Sequence, residues 1–207
     1  MNMAEKFDFS KLEKHLKEKG YLVSVFENKE SASEYLKSKI QNKTVGFGGS
    51  VTLREMELFD TLSSQNKVLW HDKMPEGMTV MEVRSAAARS DVYVSSVNGI
   101  SEEGEIVNID HTGNRVAAIS YGPGEIYLII GKNKVAPTLE DAIHRARNVA
   151  GPKNAQRLNR KTPCAKNADR CYNCNSPERI CRNLSVFWEK PAGAVYEIIL
   201  IDENLGY

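Results

Sequence analysis

The stretch Thr44–Glu55, "TVGFGGSVTLRE", joins a short apolar run, three glycines and the start of a helix-like pattern. Glycine lets backbone N–H groups approach an anion, because it has no side chain in the way and adopts positive φ easily. A strand that turns into a helix here also directs the helix N-terminus toward a ligand. The predicted phosphate- or carboxylate-binding residues are Gly46, Gly48, Gly49, Ser50 and Thr52. A closely packed strand–helix turn with Ser50 as its helix cap is the alternative.

Known nucleotide motifs do not fit this stretch. A phosphate-binding P-loop needs a lysine after the last glycine, and the dinucleotide fingerprint needs a third, more distant glycine. Neither is present, so no nucleotide cofactor is predicted.

The composition is that of an ordinary globular protein. The 207 residues are 41% hydrophobic and 27% charged, with a formal net charge of +1. This near-neutral balance gives no reason to expect a nucleic-acid or membrane partner. The first twenty residues are charged and amphipathic and lack the apolar core of a signal peptide, which predicts a cytoplasmic location.

The order of the predicted elements indicates an α/β fold with a mixed sheet. Strand-like and helix-like segments alternate up to "MEVRSAAARS". Four closely spaced β-rich segments follow, among them "GEIVNID" and "RVAAISYG", and then a long helical stretch from Thr138. The predicted organisation is an α/β domain over residues 1–159, a Cys-rich metal-binding segment over 160–190, and a closing strand of the α/β domain within 191–207.

Polar clusters lie at several other predicted strand ends, where ligands of α/β folds gather. Arg115 is suited to clamp a carboxylate or phosphate, and Asp110 to act as a base. These two are the predicted catalytic residues. Further predicted ligand contacts are Asn98, Gly99, Asn114 and Lys132.

The chain resembles the LUD-domain proteins, the lactate-utilisation family of LutC type. The resemblance is carried by "SDVYVSSVNGISEEGEIVNIDHTGNRVAAISYGPGEIYLIIGKNKV" (residues 90–135) and "TLEDAIHRARNVAGPKNAQRL" (residues 138–158). It implies a fold like the ribose-5-phosphate isomerase, glucosamine-phosphate deaminase and CoA-transferase group (NagB/RpiA/CoA-transferase-like). It also implies that the glycine turn holds phosphate or carboxylate, with Asn98, Asp110, Asn114 and Arg115 as the facing wall.

The function implied by the resemblance is an accessory role in oxidising L-lactate to pyruvate, beside iron–sulfur oxidoreductase subunits. The sequence does not say whether the chain is itself an enzyme. The first alternative is a stand-alone isomerase or acyl-transfer enzyme acting on a phosphorylated or CoA-linked molecule, with Asp110 or Glu125 as base. The second is a metal-stabilised module that binds protein or nucleic acid, with nucleic acid ranked last. Homo-oligomer formation is left open.

All four cysteines lie in "TPCAKNADRCYNCNSPERICRN", with the spacing C-x6-C-x2-C-x6-C. In a reducing compartment such crowding indicates a metal site rather than disulfides. The predicted ligands are Cys164, Cys171, Cys174 and Cys181. Four thiolates suit either a structural zinc or a [4Fe–4S] cluster. Zinc is slightly preferred as an inert structural metal, whereas the redox process of the family favours the cluster.

Overall fold

The computed structural model describes residues 6–207, so the first five residues of the predicted α/β domain lie outside it. The helices are α1 (Ser10–Glu18), α2 (Lys29–Lys39), α3 (Val51–Glu55), α4 (Leu58–Ser63), α5 (Val80–Ala87), α6 (Asn114–Ser120), α7 (Leu139–Arg145), α8 (Gly151–Arg157) and α9 (Pro163–Asn167). The strands are β1 (Leu22–Phe26), β2 (Thr44–Phe47), β3 (Lys67–Leu69), β4 (Val92–Ser96), β5 (Gly99–Ser101), β6 (Ile106–Asp110), β7 (Glu125–Gly131), β8 (Val135–Ala136), β9 (Asn183–Phe187) and β10 (Val195–Ile201). A 3₁₀ turn covers Lys132–Lys134, and a π-helical turn (Ala146–Ala150) joins α7 to α8.

The central sheet has six strands in the order β1-β10-β7-β4-β2-β3, and every neighbouring pair is parallel. Parallel sheets are buried on both faces, so their strands read as nearly continuous apolar runs. In β7, Ile126 and Leu128 pack into one hydrophobic cluster with α1 and α6, whereas Tyr127 and Ile129 pack into a second with α2, α3 and α4. The α/β class is confirmed, but this main sheet is parallel rather than mixed.

A second, smaller sheet carries the antiparallel pairs. Its order is β8-β5-β6-β9, and β6 pairs antiparallel with both β5 and β9. Strand β9 lies inside the segment predicted as Cys-rich loop, and its pairing with β6 attaches that segment to the rest of the fold. The mixed pairing expected from the sequence therefore belongs to this sheet.

One of the predicted β-rich segments is wrong. "RVAAISYG" forms α6 instead of a strand, because Asp110 accepts hydrogen bonds from the Arg115 and Val116 backbone N–H groups and so caps the helix start. Gly113 precedes the helix at φ 85°, a left-handed conformation that suits glycine. The capping side chain comes from Asp110 at the end of β6. Hydrophobic periodicity within the segment does not reveal a contact of this kind.

Two other local predictions also differ from the structure. The helical spacing of apolar residues in "VTLREMELFDTLSS" (residues 51–64) predicts one helix. In the structure this helix is broken at Glu57, which takes a left-handed φ of 50° and separates α3 from α4. "NSPERIC" (residues 175–181) is predicted as a short helix, with Ser176 as its cap and Pro177 in its first turn. It forms a single turn instead, in which the Arg179 N–H donates to the Ser176 carbonyl. Within residues 6–207 no helix combines the length and apolar character needed to cross a bilayer.

Candidate functional site

Turns that follow three neighbouring strands meet at the carboxyl edge of the central sheet. They follow β2, β4 and β7, and they enclose a cavity of about 40 Å³. This edge is where ligands of open α/β sheets bind. The cavity exceeds the ~10–15 Å³ that one water needs, yet it is far smaller than pockets for drug-sized ligands. Its lining consists of residues 49–52 and 96–98 with Arg115, Lys134, Asn154, Arg157 and Tyr207.

Lys134 is the charged group buried most deeply at this cavity. Its side chain comes from the turn after β7, and the residue is 2% exposed. The ammonium donates to Thr52 Oγ1 (2.8 Å) and to Ser96 Oγ (2.7 Å). Within residues 6–207 no carboxylate lies within ion-pair distance of it. An ammonium has three donors, so its third N–H is available to a ligand in the cavity.

The two hydroxyls that hold Lys134 are themselves fixed by the backbone. Ser96 donates to the Ile129 carbonyl (2.6 Å), and Thr52 donates to the Leu205 carbonyl (3.3 Å). Both hydroxyl hydrogens are thereby used, and each oxygen is left to accept from the ammonium. The lysine therefore sits in a rigid, preorganised setting.

Burial, together with the nearby positive charges of Arg145 and Arg115, lowers the pKa of Lys134 to about 7, against a smaller opposing effect of Glu55. Arg145 also fixes two of the turns, because it donates to the Asn133 carbonyl (2.7 Å) and to the Asn98 carbonyl (2.6 Å). Positive charge thus converges here without a carboxylate in the cavity wall. An anion placed in the cavity would relieve this repulsion.

Arg115 lies on the facing wall, as the sequence predicted for that side. Its guanidinium donates to Asn98 Oδ1 (3.3 Å) and to the Ile109 carbonyl. Its Nε lies 3.7 Å from the Asp110 carboxylate. Asp110 does not line the cavity, and its oxygens accept the backbone N–H groups of His111, Arg115 and Val116. This geometry makes Asp110 a helix cap that positions Arg115.

The three glycines of the opening stretch have different surroundings. A Cβ on Gly46 would lie 2.2 Å from the Ala87 carbonyl oxygen, and one on Gly48 would lie 2.5 Å from Ser95 Oγ. Both positions therefore require glycine for close packing. Gly49 lines the cavity and lies against the His71 ring. Burial lowers the pKa of His71, which keeps this imidazole neutral at pH 7.

Ser50 and Thr52 both line the cavity, and Ser50 also caps α3 by accepting the Leu53 N–H (3.4 Å). The helix-cap alternative is thus present in the structure, and anion binding by the turn stays a prediction. Thr52 is fully buried beneath it.

Other predicted site residues do not line the cavity. Gly99 packs against the Ala142 carbonyl oxygen, which a Cβ would approach to 2.7 Å. Asn114 is the first residue of α6. Lys132 pairs with Asp202 (2.8 Å). Glu125 begins β7, so this alternative base lies at the opposite edge of the sheet from the glycine turn.

The four cysteines surround a second cavity, of about 290 Å³. All four are free and partly buried. Three of the sulfurs take part in hydrogen bonds. Cys171 accepts from the Asn173 N–H (3.3 Å), Cys181 accepts from Arg179 (3.2 Å), and the Cys164 thiol and the Thr162 hydroxyl lie 3.4 Å apart. Among residues 6–207, no three His, Cys, Asp or Glu side chains converge on one point as a single metal ion requires.

Sequence reasoning missed several residues of the first cavity. The sequence predicts Lys132 as a ligand contact but not Lys134, which lies two residues further on. The 3₁₀ turn separates the two side chains, sending Lys134 into the interior and Lys132 toward Asp202. Ser96 is the last residue of β4, and its position at a strand end is a weak indication of a ligand contact. The others, Asn154, Arg157 and Tyr207, come from distant parts of the chain.

Comparison with known proteins bears on the fold and the family. Among solved structures, a DUF162 family protein from Deinococcus radiodurans is 12% identical, covering 92% of this chain and 94% of that chain, with a TM-score of 0.52. Identity this low shows a shared fold alone. A ribose 5 phosphate isomerase A from Neisseria gonorrhoeae is 12% identical over 54% of each chain, with a TM-score of 0.35. This score is too low to show a shared fold. The expected isomerase- and CoA-transferase-like fold therefore stays a prediction.

Among curated proteins, nothing matches this chain significantly. The model of the LUD domain family matches residues 9–200, which is nearly the whole chain. The resemblance found in the sequence is thereby confirmed, and the chain belongs to the LUD domain family.

Proposed function

We propose that the protein binds a small organic anion, of the lactate or pyruvate kind, in the cavity between the glycine turn and Lys134. The LUD domain family is associated with lactate utilisation, which supports this class of ligand. In this role the chain serves organic-acid oxidation beside iron–sulfur oxidoreductase subunits.

The buried ammonium of Lys134 carries the proposal. A buried charge is tolerated in proteins when it is paired or serves a ligand, because isolated burial costs several kcal/mol. Lys134 has neutral hydroxyl partners only, and its remaining donor is free to reach a cavity that Arg115 and Arg157 also line. A carboxylate there would accept from Lys134 and face both guanidinium groups.

Isothermal titration against L-lactate, pyruvate, acetate and inorganic phosphate tests this proposal. We expect binding of at least one of these anions, and a loss of at least tenfold in affinity for Lys134→Met. Lys132→Met is the matched control, because its ammonium pairs with Asp202 outside the cavity. Absence of binding across the panel, or equal losses in the two variants, would refute the proposal.

A stand-alone enzyme is the second candidate, and the pKa of Lys134 favours it. With a pKa of about 7, a large fraction of the side chain is neutral amine at physiological pH. A neutral lysine can act as a general base or form an imine with a carbonyl substrate. Borohydride reduction in the presence of pyruvate would then add mass to the peptide containing Lys134. Unmodified protein after this treatment would argue against imine chemistry.

A further inference from the structure

The cavity of about 290 Å³ is lined by all four cysteines of one short segment of the chain. Cys164 lies in α9, Cys171 and Cys174 lie in the following loop, and Cys181 comes just before β9. Together they are all of the cysteines in the sequence. All four line this one cavity. We infer a metal centre from this arrangement.

We propose that this cavity holds a [4Fe–4S] cluster rather than a zinc ion. Zinc in a structural site needs four sulfurs at about 2.3 Å from a single point. Here the four cysteines line a cavity of about 290 Å³, a space much larger than a single ion fills. A four-iron cluster places its irons and sulfides between four thiolates, so it needs separated sulfurs with space between them.

Hydrogen-bond donors to the sulfurs support the same choice. The Asn173 N–H reaches Cys171 Sγ, and Asn173 has a left-handed φ of 47° that folds the C-x2-C loop around it. Arg179 donates to Cys181 Sγ, and Arg147 lies 3.8 Å from Cys171 Sγ. Donors and positive charges around the thiolates stabilise an anionic cluster and raise its reduction potential.

The position of this cavity relates it to the proposed anion site. Gly151, Pro152 and Ala155 of α8 line the cysteine cavity, whereas Asn154 and Arg157 of the same helix line the anion cavity. The two spaces are therefore separated by one helix, about 10–12 Å across.

Anaerobic purification followed by iron, sulfide and zinc analysis tests the cluster without any activity assay. We expect about four iron and about four sulfide per chain. The protein is expected to be brown, with visible absorption that bleaches on reduction and a paramagnetic resonance signal in the reduced form. Stoichiometric zinc without iron, about two iron per chain, or protein that takes up no iron and sulfide on reconstitution would each overturn the four-iron assignment.

Variants locate the centre and test the arginine contact. Cys171→Ser and Cys174→Ser should each lose most of the iron, and full retention in both would place the cluster elsewhere. Arg179→Gln should keep the iron but shift the reduction potential downward. Arg170→Gln is its control, because Arg170 stacks on Tyr172 and does not line the cavity. Equal shifts in the two arginine variants would overturn the contact assigned to Arg179.

If the cysteine variants do not fold, the metal analysis of the unmodified protein still decides the proposal. Its failure is also distinguishable from failure of the proposed function. Titration of the zinc-bound or metal-free protein with lactate reports on Lys134 independently of the cysteines.

Discussion

Replacing Lys134 with methionine should make the protein more stable at neutral pH, although it removes two hydrogen bonds. The native pKa of about 7, against an ordinary value of 10.5, means that the folded state holds the Lys134 proton poorly. At pH 7 this difference costs about 4 kcal/mol of folding free energy, at 1.36 kcal/mol per pKa unit. The lost bonds to Thr52 and Ser96 are worth about 1 kcal/mol each. Methionine is of similar length and uncharged, so a net gain of about 2 kcal/mol is expected.

The difference in stability between the variant and the wild type should also change with pH. Between pH 7 and 10.5 the unfolded chain holds a proton on Lys134 that the folded chain has released. The contribution of this group to stability therefore rises with pH across that window. At pH 9.5 its penalty has fallen to about 1 kcal/mol, which is less than the lost hydrogen bonds contribute, so the variant should be less stable than the wild type by about 1 kcal/mol.

Urea unfolding of the two proteins at pH 7 and pH 9.5 measures both differences. Lys132→Met serves as the control, because its partly exposed pair with Asp202 is worth at most about 1 kcal/mol and has no buried charge to relieve. A Lys134→Met variant that is destabilised by several kcal/mol at pH 7, or that shows no change of sign with pH, would refute the account of Lys134 as an uncompensated buried cation.

Three further outcomes follow from the same geometry. Anion affinity measured by calorimetry should weaken as pH rises above about 7, because Lys134 loses its charge there and the anion binds its protonated form; pH-independent affinity would show that the anion does not contact it. Asp110→Asn should keep the cap of α6 and bind the anion at least as tightly, because a negative charge near Arg115 is removed; a tenfold loss in titration would show that Asp110 contacts the ligand. Gly46→Ala should lower the free energy of unfolding by about 2 kcal/mol or more through overpacking against the Ala87 carbonyl, and a urea midpoint equal to that of the wild type would contradict this packing.

Secondary structure was predicted most reliably where it depends on residues that are neighbours in the sequence. "TVGFGGSVTLRE" forms the predicted strand, turn and helix, because an apolar strand and a Ser50 cap depend on neighbouring residues only. The need for glycine at positions 46 and 48 comes instead from close packing against Ala87 and Ser95. Thr138 likewise caps α7 as predicted, by accepting the Asp141 N–H. The prediction failed for the segment that forms α6, because the hydrogen bond that caps this helix comes from Asp110 in the preceding strand.

The sequence by itself also determined which residue types were available for chemistry: glycines at a strand end, lysines after β7, and four cysteines at fixed spacing. Only the tertiary structure decided that Lys134 rather than Lys132 is buried, because a 3₁₀ turn sends the two side chains to different surroundings. It also brought α8 between the two cavities and aimed four thiols at one space. Such convergence depends on how loops pack against distant elements, and side chains far apart in the chain meet only when the core places them together.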